Sequence, residues 1–415
     1  MLSLVVNKAC GLDIHKRFMI ATLLCRSGKK EQKRFERDEQ GILDLKSWVL
    51  EEKCDVVACE STSDFWVPIY DSLISHTTVI VGNARDMKAY THKKTDKIDS
   101  EFIAQLALNK MIKPSRVFPK SHREFRSYVR LRHRLVQKRT DIKNQAQAIL
   151  SSEMFHLNDV LTDIFGKNGR TILAGICSGK NFDHIVDKLS ANVRKKSEQI
   201  KEVLEREISQ SAAIRLRICL DLVQEFDVKI ADLETHIFNY AYKHHKREMD
   251  ILMSCPGIGE ISAATLIAEI GDFHDFSSGD KLASWLGIVP KVYQSADKYY
   301  NGRITKRGSK IARWILTQVA QAASRKKTSK LKEFFNRKKK TIGHQKAIIA
   351  LARKIVTIIW HLITKDEMYE DDTGYQKGEV VKRKIVEIAE ISIDERISII
   401  SEIFATVNKH APGEI

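Results

Sequence analysis

Ala9-Cys10-Gly11-Leu12-Asp13-Ile14 opens a β-rich run that extends to Cys25, with a turn near His15 to Arg17. The apolar, closely spaced residues predict a strand, and Asp13 puts a charge in the middle of it. A carboxylate at such a position costs solvation free energy unless something pairs with it. Working outward, residues 33–35 read as a third strand, and residues 40–52 have helical spacing through Ile42, Leu45, Trp48 and Val49. Residues 54–59 form a short apolar strand, 64–75 a second helix and 77–81 another strand. A meander followed by alternating strands and helices predicts a mixed sheet flanked by helices over residues 1–120, an α/β unit.

Three more acids stand out against this background. Glu60 follows the strand over 55–59, which puts its carboxylate at the strand's C-terminal edge. Lys93-Lys94-Thr95-Asp96-Lys97-Ile98-Asp99 supplies Thr95 as an N-cap and two acids three residues apart, stacked on one face of a first helical turn. Two strand carboxylates and two from one turn can hold a pair of Mg²⁺ ions about 3.5–4 Å apart, an arrangement suited to phosphodiester cleavage. Taken singly, each acid has an ordinary reading: a first-turn acid complements the helix dipole, and a lone Glu after a strand is a surface residue. Together, in this order and on these elements, Asp13, Glu60, Asp96 and Asp99 point to metal.

The rest of the chain is mainly helical. Between 121 and 246 Pro is absent, Gly occurs only at Gly166, Gly169, Gly175 and Gly179, and heptad-like apolar positions recur over 125–150 and 200–242. Residues 121–250 are therefore expected to form a helical coiled-coil arm that holds protomers together, or a helical bundle packed within one chain. Residues 251–365 read as a third, mainly helical unit: Pro256-Gly257-Ile258-Gly259 between two helical patterns, a basic loop, then helices over 311–324 and 345–364. Residues 366–415 hold an acidic patch (Asp366, Glu367, Glu370, Asp371, Asp372) and one more amphipathic helix with Ile385, Ile388 and Ile391.

Composition narrows the function. At 415 residues, with 43% apolar and 30% charged residues, the chain suits two or three globular units rather than a disordered protein. Its formal charge of +17 is concentrated: between Lys291 and Lys354 there are 19 Lys and Arg against only Asp297 and Glu333, and the remainder is neutral. A polyanion is the natural partner. The apolar stretch 347–363 is broken by Arg353 and Lys354, so no membrane span is expected, and the N-terminus lacks a signal layout. Seven scattered cysteines without a CxxC pair read as reduced core thiols in a cytoplasm, not as a zinc site.

Gly11-Leu12-Asp13, Glu60 and Lys94-Thr95-Asp96-Lys97-Ile98-Asp99 resemble the bridge-RNA-guided insertion-sequence recombinases of the IS-one-ten family, to which Piv-type DNA invertases are also similar. The resemblance covers roughly residues 8 to 365. It implies a RuvC-like (RNase H fold) domain in which Asp13, Glu60, Asp96 and Asp99 are the DEDD ligands of Mg²⁺ or Mn²⁺. Further along, Cys255-Pro256-Gly257-Ile258-Gly259-Glu260 reads as a helix-hairpin-helix opening, whose Gly257 and Gly259 expose backbone N–H groups to a nucleic-acid phosphate, or as a plain turn with glycine caps. Ser295, followed by Gly302-Arg303-Ile304-Thr305-Lys306-Arg307-Gly308, is similar to the family's transposase-domain signature, with Ala296 where members commonly carry Gly.

The resemblance implies that Ser295 attacks a DNA phosphate to give a phosphoserine, within a tetramer on target and donor duplexes, and that a structured noncoding RNA supplies specificity by base pairing. It also implies a prokaryotic, cytoplasmic enzyme. Lys298, Arg303, Lys306 and Arg307 are suited to neutralising the scissile phosphate, and Lys93 and Lys94 to contacting nucleic acid. Arg123, Arg126 and Arg130, at spacings of three and four, are expected to face a nucleic-acid backbone from one side of a helix. Trp314 and Phe334 are expected in the core. Rival readings are a Piv-like invertase, a RuvC-type nuclease that uses water, and a basic RNA-binding scaffold without activity.

Overall fold

The computed structural model describes residues 5–61, 63–87, 96–179, 185–204, 206–295, 298–327 and 329–371. The chain divides into two compact units, 1–119 and 120–415. The first unit runs β1 (Lys8–Ile14), β2 (Phe18–Cys25), β3 (Lys30–Glu36), α1 (Glu39–Glu51), β4 (Val56–Glu60), α2 (Val67–Leu73), β5 (Thr78–Gly82), α3 (Ala84–Met87) and α4 (Asp96–Leu108). Its five strands form one sheet in the order β3-β2-β1-β4-β5. β1 to β3 are an antiparallel meander, and β4 and β5 continue parallel to β1. The mixed sheet read from the sequence is present.

Alternation along the strands sorts the side chains into two layers. Cys10, Leu12, Val57 and Cys59 pack with Leu45, Trp48, Ile69 and Leu73, so α1 and α2 cover one face. Ala9, Val56 and Ala58 pack with Ile103, Leu106 and Ala107 of α4 on the other. At Gly11 the helix comes very close: a Cβ there would lie 2.2 Å from the Ser100 carbonyl oxygen and 2.3 Å from the Ala104 nitrogen. Only glycine permits that approach. A buried polar chain fastens it, with Gln32 Nε2 donating to Thr22 Oγ1 at 2.7 Å and Thr22 Oγ1 lying 2.8 Å from Ser100 Oγ.

The second unit runs α5 (Lys120–Ser152), α6 (Leu157–Val160), α7 (Lys167–Cys177), α8 (Ala191–Arg194), α9 (Ser197–Leu204), α10 (Gln210–His244), α11 (Lys246–Ser254), α12 (Glu260–Ile270), α13 (Gly279–Leu286), β6 (Pro290–Ser295), β7 (Lys298–Ile304), α14 (Lys310–Arg325), α15 (Lys330–Ile342) and α16 (His344–Lys365). α5 and α10, of 33 and 35 residues, each span about 50 Å and pack as an antiparallel pair within the chain. One end of the pair joins a small core with α7: Ile149, Leu150, Ile172, Leu173, Ala212 and Leu216 meet there. The other end, through Phe125, Val129, Ile237 and Ala241, is built into the large core of α11 to α16. Residues on both sides of position 250 therefore share one interior.

Three features differ from the sequence reading. The expected basic loop after Gly287 is a two-stranded antiparallel hairpin, β6 with β7, formed by residues such as Val292, Tyr293, Tyr299 and Tyr300 that favour extended backbone. α15 is an additional helix that its Lys-rich sequence concealed, because only Leu331 and Phe335 of its residues are buried. Trp314, expected in the core, is 39% exposed and meets the His133 ring edge-on at 4.9 Å. α16 is long and apolar enough to cross a membrane by length and composition, and in the fold it is a core helix with Leu351, Ile355, Val356 and Ile359 buried. Residues 366–371 fold back on this unit, Arg247 Nε donating to Asp366 Oδ1 at 2.6 Å and the Tyr369 N–H to Ser254 Oγ at 2.8 Å. The helix expected around Ile385, Ile388 and Ile391 lies outside the described residues.

Candidate active site

β1 and β4 are parallel neighbours with Leu12 opposite Cys59. The next residues, Asp13 and Glu60, therefore end adjacent strands at the same edge, with backbones about 4.8 Å apart. Both follow the alternation of Ala9, Gly11, Val56 and Ala58, so they occupy the face that α4 covers. α4 begins at Asp96 and carries Asp99 in its first turn, one residue before the Ser100 that rests on Gly11. The fold thus brings Asp13, Glu60 and Asp99 to one face and one edge. His15 Nε2 lies 3.0 Å from Asp13 Oδ2, the partner that a strand carboxylate requires, and its ring stacks on Phe18.

The side chain of Asp96, and Lys93, Lys94 and Thr95 altogether, lie outside the described residues. Among the described residues no three His, Cys, Asp or Glu side chains are gathered closely enough to hold a metal ion. The donor chemistry nonetheless fits a hard divalent cation: carboxylates only, supplied by two strands and one helix. The thiol that flanks Glu60 is no competitor, since burial pushes Cys59 up to about 12 and keeps it protonated.

Ser295 is the last residue of β6 and pairs with Lys298, the first of β7, so it stands at the hairpin tip. The Ser295 and Lys298 side chains, with Ala296 and Asp297 between them, are outside the described set. The base of the hairpin is firmly tied. Thr305 N–H donates to the Val289 carbonyl at 3.0 Å and Lys306 N–H to that of Gly287 at 3.1 Å. Arg313 Nη1 donates to the carbonyls of Leu286, Arg307 and Gly308 at 3.1, 2.5 and 3.0 Å. Gly287, at φ 74°, is obligatory here, because a Cβ would sit 2.0 Å from the Arg307 carbonyl oxygen. Arg303, Lys306 and Arg307 are exposed on the second strand and the turn after it. Arg313 is a residue the sequence reading missed; nothing in its local pattern separates it from neighbouring cations.

At the stretch read as a helix-hairpin-helix opening, the turn 255–259 joins α11 to α12. Gly257 has a more immediate role than exposing its N–H. A Cβ there would lie 2.6 Å from the Val319 carbonyl oxygen and 2.7 Å from the Ala323 nitrogen, so the turn packs directly on α14. Gly259 caps α12 with open space where a side chain would be. Glu260 in the first turn accepts a hydrogen bond from Tyr242 Oη at 2.7 Å.

Two of the three arginines expected to contact nucleic acid from α5 also pair with an acid of their own unit. Glu269 of α12 has no exposed side-chain surface. Arg126 reaches its Oε2 through Nη2 at 2.8 Å, and Arg130 reaches its Oε1 through Nε at 2.8 Å. Burial alone would raise the Glu269 carboxyl, but hydrogen bonds and charge from Arg130 and Arg126 hold it down at about 2. Arg126 and Arg130 are thereby counter-ions of a buried acid 143 and 139 positions away, a pairing the sequence reading had no means of seeing. Farther along α5, Arg132 pairs with Glu234, and Arg139 with Asp227. Arg123, in the first turn of the helix, is half-buried.

Two family models match the chain. One, a transposase model named for the DEDD acids and IS110, covers residues 10–155, and one described as transposase, IS116/IS110/IS902 family, covers residues 249–336. The four acids fall in the first and Ser295 in the second. The chain is 24% identical to the transposase for insertion sequence element IS1111A of Coxiella burnetii, over 87% of this chain and 91% of the relative. It is 31% identical to a probable family 20 transposase of Pseudomonas aeruginosa, over 37% and 46% of the two. It is 30% identical to the pilin gene-inverting protein of Moraxella bovis, over 29% and 38%.

Proposed function

Because the chain belongs to the IS116/IS110/IS902 family of insertion-sequence transposases, enzymes that cut and rejoin DNA, we propose that it does so through a covalent phosphoserine at Ser295, with Asp13, Glu60, Asp96 and Asp99 as a metal-binding carboxylate set. The observation that carries this reading is the shared edge of Asp13 and Glu60 beneath the helix that opens with Asp96 and Asp99. The sheet order β3-β2-β1-β4-β5, an antiparallel meander continued by two parallel pairs, supports a RuvC-like fold for this unit.

The Ser295 oxygen attacks a DNA phosphorus, the serine–phosphorus bond forms as one strand's phosphorus–oxygen bond breaks, and a hydroxyl of the partner strand later displaces the serine. Bond energy is kept in the intermediate, so no high-energy cofactor is consumed. Mg²⁺, or Mn²⁺, held by the carboxylates supplies positive charge to polarise the phosphate and stabilise developing oxyanions. His15 orients Asp13 for this task. Arg303, Lys306 and Arg307, exposed on the second strand and the turn after it, neutralise adjacent phosphates. A structured noncoding RNA guides the enzyme by pairing with target and donor DNA, and a dimer or tetramer joins the serine of one protomer to the acids of another. The likeness to the pilin gene-inverting protein favours site-specific inversion as the second reading.

Trapping tests the mechanism. Purified protein with its co-purifying RNA and cognate DNA, incubated with Mg²⁺, is expected to yield a covalent protein–DNA adduct that Ser295→Ala abolishes. Cleavage that persists in Ser295→Ala and stops in Asp13→Ala would instead identify a nuclease that uses water.

A further inference from the structure

Two runs of cations that look alike in the sequence are sorted by the fold. On α5, Arg126, Arg130, Arg132 and Arg139 each face a carboxylate of the same unit. On α15 and α16, none of Arg337, Lys338, Lys339, Lys340, Lys346 and Lys354 forms an ion pair with any described residue, although the neighbouring Arg353 pairs with Asp280 at 2.9 Å. The first four and Lys346 are exposed. Part of this charge has a simple explanation, since Lys339 and Lys340 in the last turn of α15 complement the helix dipole.

That explanation does not reach the group around Phe334. Lys354 Nζ stands 4.5 Å from the centre of this half-buried ring, with Arg337 Cζ at 5.8 Å and Lys338 Nζ at 5.9 Å. Two helices thus bring three like charges to one aromatic ring. The ring's negative face offsets part of their repulsion, and an external anion would offset the rest.

We propose that this face of α15 and α16 docks the phosphate backbone of duplex DNA without reading its sequence, separately from the chemistry at Ser295; the choice of DNA rests on the transposase reading above. Arg337 to Lys340 fill one turn of α15, and Lys346 and Lys354 stand roughly 12 Å apart along α16 at ~1.5 Å per helical residue. A duplex presents one negative charge per ~1.7 Å of axis, so several phosphates face such a patch at once. Lys and Arg heads on flexible stems suit phosphate oxygens rather than base edges. Leu331, Phe335 and Ile348 fix both helices in the core that also holds α14 at the base of the Ser295 hairpin. The DNA-docking face and the hairpin support thus share one core.

The test uses the full-length protein and a mixed-sequence duplex of about 30 bp that contains no target. Affinity is measured by fluorescence anisotropy across about 50 to 200 mM salt. Neutralising Lys338, Lys339 and Lys340 to Gln together is expected to weaken binding at least tenfold at the lower salt. It is also expected to reduce the slope of log K against log salt by two to three, at ~0.9 per lost phosphate contact. The double variant Arg337→Gln/Lys354→Gln tests the Phe334 group independently, with a thermal melt confirming that each variant is folded. Arg132→Gln, which removes a paired cation, is expected to leave the slope unchanged. An unchanged slope in both patch variants overturns the proposal, as does a loss seen with a structured RNA hairpin but not with the duplex. Ser295→Ala is expected to bind duplex with the wild-type slope, so absence of the covalent adduct and absence of the docking face are separate results.

Discussion

Arg126 Nη2 donates to Glu269 Oε2 over 2.8 Å, in a part of the core where that carboxylate has no contact with solvent. The pair, completed by Arg130, ties the start of the long hairpin to α12. With the Glu269 carboxyl held at about 2 against an unfolded value near 4.5, the stabilisation is fully present above pH ~4.5 and is lost as pH falls toward 2. Its size is about 3 kcal/mol from a shift of this extent. Thermal melts are expected to show a falling Tm across that window. Glu269→Gln, which leaves two arginines facing a neutral group, is expected to lower Tm at pH 7 and flatten the acid limb. A variant with an unaltered acid limb would show that other carboxylates govern acid unfolding.

Gly11 decides how closely the helix bearing Asp96 and Asp99 approaches the strand bearing Asp13. A methyl group would lie 2.2 Å from a backbone oxygen, and neither element can yield cheaply. Gly11→Ala is expected to cost about 2–4 kcal/mol and, in whatever fraction stays folded, to reduce adduct formation by more than the fold loss accounts for. Calorimetry and the trapping assay on the same sample separate the two effects.

Arg313 positions the hairpin rather than touching DNA. Its Nη1 gathers three carbonyls at the hairpin base. Arg313→Gln is expected to lower the rate of adduct formation about tenfold or more with duplex affinity unchanged, and Arg313→Lys to recover part of the rate. Equal losses in affinity and rate would mean that Arg313 contacts the nucleic acid itself.

The small core at the far end of the hairpin is separate from the main one. Ile172 is wholly buried within it, so Ile172→Ala is expected to cost about 2–5 kcal/mol and to appear as an early, partial unfolding step. Hydrogen exchange is expected to accelerate in 145–220 and remain unchanged in α16.

The strands of the first unit were legible because alternation and β-rich composition coincide: β1, β4 and β5 lie within two residues of where the pattern puts them. Glu60 at a strand edge and Asp99 in a first helical turn were legible for the same reason, as local features. What escaped was tertiary. No local pattern tells Arg126, which faces a buried acid, from Lys339, which faces solvent. The hairpin at 290–304 hid behind its charges, and Arg313 acts on carbonyls that only the folded chain assembles.

The long hairpin has one more consequence. Its two ends are embedded in independent cores, and the stretch between them is held by lateral pairs such as Arg132 with Glu234. Neither anchorage depends on how far away the other is. Seven residues removed from each helix in matched positions would shorten the strut by about 10 Å while returning both ends to the same rotational phase. The span of this element is thus an adjustable dimension, one that related chains can lengthen or trim in whole-heptad steps without redesigning either end.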